Sequence, residues 1–470
     1  MDKLTTRPTE PSPEDAPARF QRFNLYDNPF PANPVVNQDS TDKRINGDVY
    51  EMEIRSREYE RMVRGFLQTP QTDVNHLRLG YIVDTSYIGR GNGKSAFLVN
   101  LQQAINREYC LDISNGVNKC FALYLKPEPG GRTKTFASFV DLLFHSMLRA
   151  GIVDTCLAIL RLEALSRVYP DVPLEVGESD QELKDTVRAL NSEEWYKDRQ
   201  LEYRKIGRAI VENKYLQSLP LTFPILRETQ YLRAEPVRQE DFEHTYCEGL
   251  RRPAERMEFV FTDLIRLFQA AGFNGAYVLV DDFEQIPSFQ SARQRTDFAS
   301  ELRACLFDGL SLNARIGFYN LFLVLHAGVP RLIGEAWEQS GMAHRAPIEP
   351  PFAARHVIPF EKLSKAHAVL LLRKYLSEYR IDAAGSDGLA PFTEGAVNVI
   401  GEMSEYNAAR MLLMAYQLLE KAASTEGQER IDEAFVESAK EELSLDLGRD
   451  IPGIQEAASL DLMKKAQDEE

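Results

Sequence analysis

No stretch of this 470-residue chain approaches eighteen uninterrupted apolar residues, so no transmembrane helix is expected and no membrane partner is implied. The first twenty residues, "MDKLTTRPTEPSPEDAPARF", lack the apolar segment of a secretory signal. Cysteine is scarce: Cys110, Cys120, Cys156, Cys247 and Cys305 are scattered, with no C-x-x-C pair. That usage predicts reduced thiols in a cytoplasmic protein and argues against disulfides or a zinc site. Positive charge is also short, with 55 Lys and Arg against 71 Asp and Glu and a net charge of −16. The balance speaks against a broad basic face on a monomer, although a ring or filament can line a channel with a few cations from each subunit. There is no internal repeat. What the chain does have is 44% apolar residues, enough for a full core, and a length that suits two or three domains or one large core with an insertion and a cap.

Residues 1 to about 20 are rich in Pro, Glu and Thr and read as disordered. "FNLYDNPFPANPVVN" follows, where Pro29, Pro31 and Pro34 prevent regular structure while Phe23, Tyr26 and Phe30 call for burial; residues 1–45 are therefore expected to form a disordered or extended arm packed on a domain. A helix is expected over 48–67. "LRLGYIVD" (77–84) reads as a buried strand, and "KSAFLVNLQQAINREY" as a helix with Phe97, Leu98, Leu101 and Ile105 on one face. "KCFALYLKP" is a second strand and "TFASFVDLLFHSMLRAGI" an amphipathic helix. This alternation is that of a parallel α/β sheet. It stops over about 153–250, a charged, mostly helical insertion. It resumes with "YVLV" (277–280), a helix at 293–309, "NLFLVLHAGVP" (320–330) and a short last strand in "ARHVIPFEKLS". Residues 365–445 are almost wholly helical and the tail from Ile451 is acidic.

The chemistry sits in "YIVDTSYIGRGNGKSAFLVN". Gly93-Lys94-Ser95, preceded by Gly91 and Gly89, lies between a strand and a helix, the context of a phosphate-binding loop. Glycines let backbone N–H groups point at phosphates, the lysine reaches the β- and γ-phosphates, and the hydroxyl serves Mg²⁺. Gly89, Gly91, Asn92, Gly93, Lys94, Ser95 and Ala96 are the candidate ATP-binding residues; Ile88 stands where the pattern G-x-x-x-x-G-K-[ST] has its first glycine. "VLVDDFE" supplies the partner: an acid at the tip of a buried central strand, Asp281, to hold Mg²⁺ together with Ser95. Asp282 follows where a water-polarising glutamate is usual, and Glu284, two residues on, is able to share that role.

The order of phosphate loop, second strand, acidic strand tip, two more strands and a helical bundle resembles the AAA+ ATPases. The closest likeness is to the branch holding the origin-recognition initiators, the transposition-regulator and ExeA-like ATPases, and the ATP-binding proteins of phage-exclusion (BREX-type) systems. "NPF" at 28–30 resembles the arm of ExeA-like members, and "AAGFNGAYVLVDDFEQI" the acidic strand of the BREX-type group. "ARHVIPFEKLSKAHAVLLLRKYL" and "EYNAARMLLMAYQLLEKA" resemble the passage into the lid and the start of the sensor-2 helix. The resemblance covers about 20–445 without the insertion. It implies an AAA+-like P-loop core over 46–360, a helical lid over 361–450 and a flexible tail over 451–470. It also implies roles: Arg410 as sensor 2 at the γ-phosphate, Arg355 as an arginine finger for a neighbour's nucleotide with Arg345 in reserve, and His326 as the sensor-1 polar residue ending the fourth strand. Two departures stand out, Asp282 for glutamate and the lack of room for a winged-helix domain after residue 450.

Three functions follow as expectations. The first is an oligomeric ATPase that switches its assembly on duplex DNA or a DNA-processing, antiviral complex, with "PGGRTKT" (129–135) facing a channel. The second is a STAND-like signalling or scaffold module that recruits a protein partner through the insertion, which the acidic charge favours. The third, motivated by Ile88 and Asp282, binds nucleotide without turnover or not at all.

Overall fold

The computed structural model describes residues 18–73, 75–86, 90–173, 179–230, 235–349, 355–382 and 388–443. The expectations for residues 1–17, for Ile88 and Gly89, and for the tail beyond 443 lie outside these residues. Five strands form one all-parallel sheet: β1 (Leu79–Asp84), β2 (Cys120–Leu125), β3 (Gly275–Val280), β4 (Tyr319–Leu325) and β5 (Val357–Phe360), in the spatial order β2-β3-β4-β1-β5. Every residue of β3 and β4 is buried, as parallel strands covered on both faces require.

The two-residue period of the strands divides the core. Val278, Val280, Leu321 and Leu323 point into one hydrophobic cluster, whereas Tyr277, Leu279, Phe322 and Val324 point into another. The second holds the helix Lys94–Arg107 through Phe97, Leu98, Leu101 and Ile105, the face anticipated from their spacing. The first is larger and takes in most of the described helices between β2 and β3. Its helices Phe136–Arg149, Ile152–Val168 and Leu264–Ala270 pack with Ile206, Phe242 and Phe259 against the same strands. The insertion is thus continuous with the core rather than a separate appendage. Inside it, the fully buried Arg161 ties four segments together, donating to the Tyr203 hydroxyl (2.6 Å), Asn191 Oδ1 (2.5 Å) and the Val237 carbonyl (2.6 Å).

A third cluster joins the lid to the arm. The helices Lys365–Glu378, Glu394–Met403, Ala408–Ser424 and Glu433–Ala439 bury their apolar faces with Phe20, Phe23, Leu25 and Phe30. The Asn28 side chain donates to the Tyr416 carbonyl (3.2 Å) and Glu420 (3.1 Å) and accepts the Phe30 N–H (3.1 Å). Phe30 then packs edge-on against Phe392, its centroid 5.7 Å away. The described part of the arm, 18–45, is therefore anchored. Tyr26, expected to be buried, remains at the surface, where it stacks on Tyr379 at 4.8 Å.

No single helix among the described residues is long and apolar enough to cross a membrane. All five cysteines are free, and only Cys247 is exposed.

Candidate functional site

Because β4 lies between β1 and β3, the loop that leaves β1 and the tips of β3 and β4 meet along one edge of the sheet. The loop is held in a strained shape: Gly91 and Gly93 have φ of 102° and 83°. Nothing lies near the position a Cβ would take on Gly93, so the backbone angle, not crowding, is what calls for glycine there. Gly93 precedes the 14-residue helix Lys94–Arg107 and offers no side-chain cap, which leaves that helix's first N–H groups open to an anion.

Three elements brace the loop. Arg55, buried in the helical segment before β1, donates to the Asn92 carbonyl (2.8 Å), to Asn92 Oδ1 (3.1 Å) and to the Glu361 carbonyl (2.9 Å), pairs with Glu58, and lies 4.0 Å above the Phe360 ring. Asn92 in turn donates to the Glu361 carbonyl at 3.0 Å. From the lid, the Ala409 N–H reaches the Gly91 carbonyl (2.9 Å) and the Asn407 amide the Arg90 carbonyl (2.8 Å). Within the loop helix, Lys94 Nζ lies 2.5 Å from Asp84 Oδ2 at the end of β1, both groups being buried.

The acidic edge faces this loop. Asp281, just past β3, accepts the Tyr124 hydroxyl at 2.6 Å and is hydrogen-bonded to Ser95, so the loop hydroxyl and the strand-tip carboxyl converge. Burial, and then the neighbouring Asp282, raise the Asp281 carboxyl above its usual range; Ser95 and Tyr124 pull the other way. Asp282 takes a left-handed backbone angle, φ 44°, that turns its carboxylate toward Lys126, 3.2 Å away. Glu284 is fully buried. Its Oε1 lies 3.2 Å from Arg90 and 3.3 Å from His326 Nε2, while Oε2 has no hydrogen-bond partner. Burial and Asp282 push Glu284 up to about 8 against the pull of Arg90. His326, which follows β4, is held well below its ordinary range by burial, then by Lys94 and Arg90. Both shifts favour the uncharged forms, so opposite charge is not what holds this 3.3 Å contact.

These groups form one end of a cavity of about 220 Å³ that also includes Gly91–Ala96 and Lys126. The rest of the lining is mostly apolar and comes from the arm, the segment after it and the lid: Val36, Ile45, Val49, Leu363, Leu371 and Leu412, with Tyr50 and Tyr375, beside the charged Arg44, Glu51 and Lys374. The Tyr50 hydroxyl is buried there without a partner. Ser95 and Asp281 offer hard oxygen donors side by side and fit Mg²⁺ bound partly through water and phosphate. Asp282, Glu284 and His326 also bring ligand atoms within 4.8 Å of one another. Arg90 and Lys126 already supply cationic charge to that group, so it fits a polar relay better than a second ion.

The structure brings Asn92, Lys94, Ser95, Ala96, Asp281, Asp282 and His326 to the cavity wall, with Glu284 directly behind. It does not bring Arg410 there. That side chain is partly exposed and lies 3.9 Å from Glu405, although its neighbours Ala408, Ala409 and Leu412 line the cavity. Arg355 is exposed at the entry to β5 and donates to the Asn75 carbonyl (3.0 Å), on the sheet edge opposite the cavity. A six-residue strand separates those edges by about 20 Å. Arg345 pairs with Asp308 at 2.5 Å. The sequence analysis missed Asp84, Arg55, Tyr124, Lys126 and the arm's contribution to the cavity. Asp84 alone left a signal, as the charged residue closing an apolar strand.

Comparisons with models of protein families, with curated proteins and with solved structures found no match to this chain.

Proposed function

We propose that this chain is a P-loop ATPase of the AAA+ type, binding ATP with Mg²⁺ in the cavity between core and lid. One observation carries the reading: a glycine-strained loop with a lysine and a serine meets a strand-tip aspartate at the polar end of a cavity whose other end is mostly apolar. A nucleotide needs both ends, N–H groups and cations for its phosphates and a greasy slot for its base. Lys94 and the loop N–H groups would bind the phosphates. Ser95 and Asp281 would hold Mg²⁺, which when bound neutralises charge on the phosphates. Asp282 faces the cavity and is the candidate to orient the attacking water. His326 and Arg90 line the cavity beside it, and Glu284 lies behind them, 3.3 Å from His326 and 3.2 Å from Arg90. Arg355, exposed at the opposite end of the sheet, would serve a neighbouring subunit's nucleotide in a homo-oligomer with composite sites. Arg410 follows lid residues that line the cavity, and sensing of the γ-phosphate would require its side chain to leave Glu405.

The cellular role proposed is nucleotide-dependent assembly on DNA or on a DNA-processing, phage-defence complex. A STAND-like signalling module is the second reading. It is favoured by the net charge of −16 and by the 129–135 loop, where Arg132 is paired with Glu128 at 3.2 Å instead of standing free.

The test is ATP turnover by the purified chain with and without duplex DNA, beside Lys94→Ala and Asp281→Ala, with particle size followed in parallel. DNA-stimulated turnover lost in both variants supports the DNA-linked switch. Turnover indifferent to DNA supports the signalling module. No nucleotide binding by the wild type removes the ATPase reading altogether.

A further inference from the structure

The contact between Lys94 and Asp84 bears on how the site chooses its ligand, and the argument rests on the nucleotide reading above. Lys94 is the first residue of its helix and only 5% of its side chain is exposed; for Asp84 the figure is 2%. A buried ammonium needs a counter-charge. Asp84 Oδ2 supplies it at 2.5 Å. The other oxygen, Oδ1, accepts the Ser86 N–H (2.9 Å) and the Ser86 hydroxyl (2.5 Å). Asp84 is therefore doubly served. If Lys94 leaves, the carboxylate keeps two donors and is not stranded.

We propose that Asp84 is a positioning residue that competes with a nucleotide's outer phosphates for Lys94, making ligand entry an exchange of one anion for another. The pair balances the loop's charge. It also sets a threshold. A nucleoside monophosphate can fill the apolar end but presents no β- or γ-phosphate to Lys94, so the pair stays closed. A di- or triphosphate brings enough negative charge to draw the ammonium away, and Ser86 holds the released carboxylate. Asp84 thus acts as a filter for polyphosphate ligands, paid for in absolute affinity.

The experiment measures dissociation constants of the full-length chain for ATP, ADP and AMP by calorimetry, for the wild type, Asp84→Asn and Ser86→Ala. Asparagine keeps the acceptor for Ser86 and removes the competing charge. The expected result is ATP and ADP binding about tenfold tighter in Asp84→Asn, a change of about 1.4 kcal/mol, with AMP unchanged. Ser86→Ala, which leaves the released carboxylate poorly served, should weaken ATP and spare AMP. Should Asp84→Asn fail to fold, the Ser86→Ala result decides: equal weakening of ATP and AMP, or none, overturns the proposal. If the wild type binds ATP and Asp84→Asn binds it more weakly, Asp84 helps the lysine rather than competing with it. The proposal then fails while the nucleotide reading stands. If neither protein binds any of the three nucleotides, both fail.

Discussion

Replacing Glu284 by glutamine should make the ligand-free protein more stable above neutral pH. The wild-type carboxyl is pushed up to about 8 from an ordinary value of 4.5, chiefly by burial and secondly by Asp282. Below 4.5 the group is protonated in both folded and unfolded chains and has no effect on the balance. As pH rises, the unfolded chain ionises first and gains, and the native state loses stability until the folded group ionises near 8. At pH 7 that loss is about 3 kcal/mol, and it approaches 5 kcal/mol at pH 8 and above. Glutamine is nearly isosteric and keeps an acceptor toward Arg90 and His326. Its amide occupies the side where Oε2 has no partner. Urea unfolding of both proteins at pH 5, 6, 7 and 8, without nucleotide, should give curves that nearly coincide at pH 5 and separate steadily above it, with Glu284→Gln the more stable. A gap that does not vary with pH would refute the reasoning, as would a variant less stable than the wild type at pH 8. A constant gap would mean that Arg90 just balances burial, and a less stable variant at pH 8 would mean that it outweighs burial and stabilises the carboxylate.

Arg55→Ala should cost about 3–5 kcal/mol, because it strips the counter-ion from Glu58 and three hydrogen bonds from the loop and the β5 exit; Arg55→Lys should recover little, since one ammonium cannot reproduce that fork. Thermal unfolding measures the loss, and ATP affinity should fall with it. Arg410→Ala should change stability by less than about 1 kcal/mol, as its exposed, 3.9 Å contact with Glu405 is weak. Its effect on ATP affinity should stay within about threefold; a loss of tenfold or more would mean that Arg410 swings onto the γ-phosphate when ligand binds.

The centre of the sheet was readable because both faces of β3 and β4 are covered, which turns each into a nearly unbroken apolar run; "YVLV" and "NLFLVL" could hardly be anything else. Strand order was not readable from periodicity. Yet it is the position of β4 between β1 and β3 that sets His326 against Glu284 and the loop against Asp281. The phosphate-loop residues announced themselves because backbone strain and chemistry are packed into a few consecutive positions. Arg55 did not, because its partners lie at Asn92 and Glu361, 37 and 306 residues away, and only the fold brings them together. The arm was read as needing burial, but its aromatic spacing could not tell that its cover is the lid or that Val36, Ile45 and Val49 would wall the cavity. The insertion was read as charged, mostly helical and interrupting the alternation; that its buried faces join the core was not readable, because they are spread thinly through polar sequence.

The arm's anchorage has a consequence for how the chain is made. Phe20, Phe23 and Phe30 have their partners in helices that begin at Lys365, and Arg22 reaches the carbonyl of Thr425, 403 residues later. During synthesis at roughly 5–20 residues per second, those aromatic side chains leave the ribosome about 20–80 s before their cover exists. The sheet and the helices between β2 and β3 can close in that interval, but the apolar end of the cavity cannot, since both of its walls wait for the lid. A ligand can therefore reach a complete pocket only after the lid has emerged, and until then the nascent chain carries an uncovered aromatic stretch that a chaperone is suited to hold.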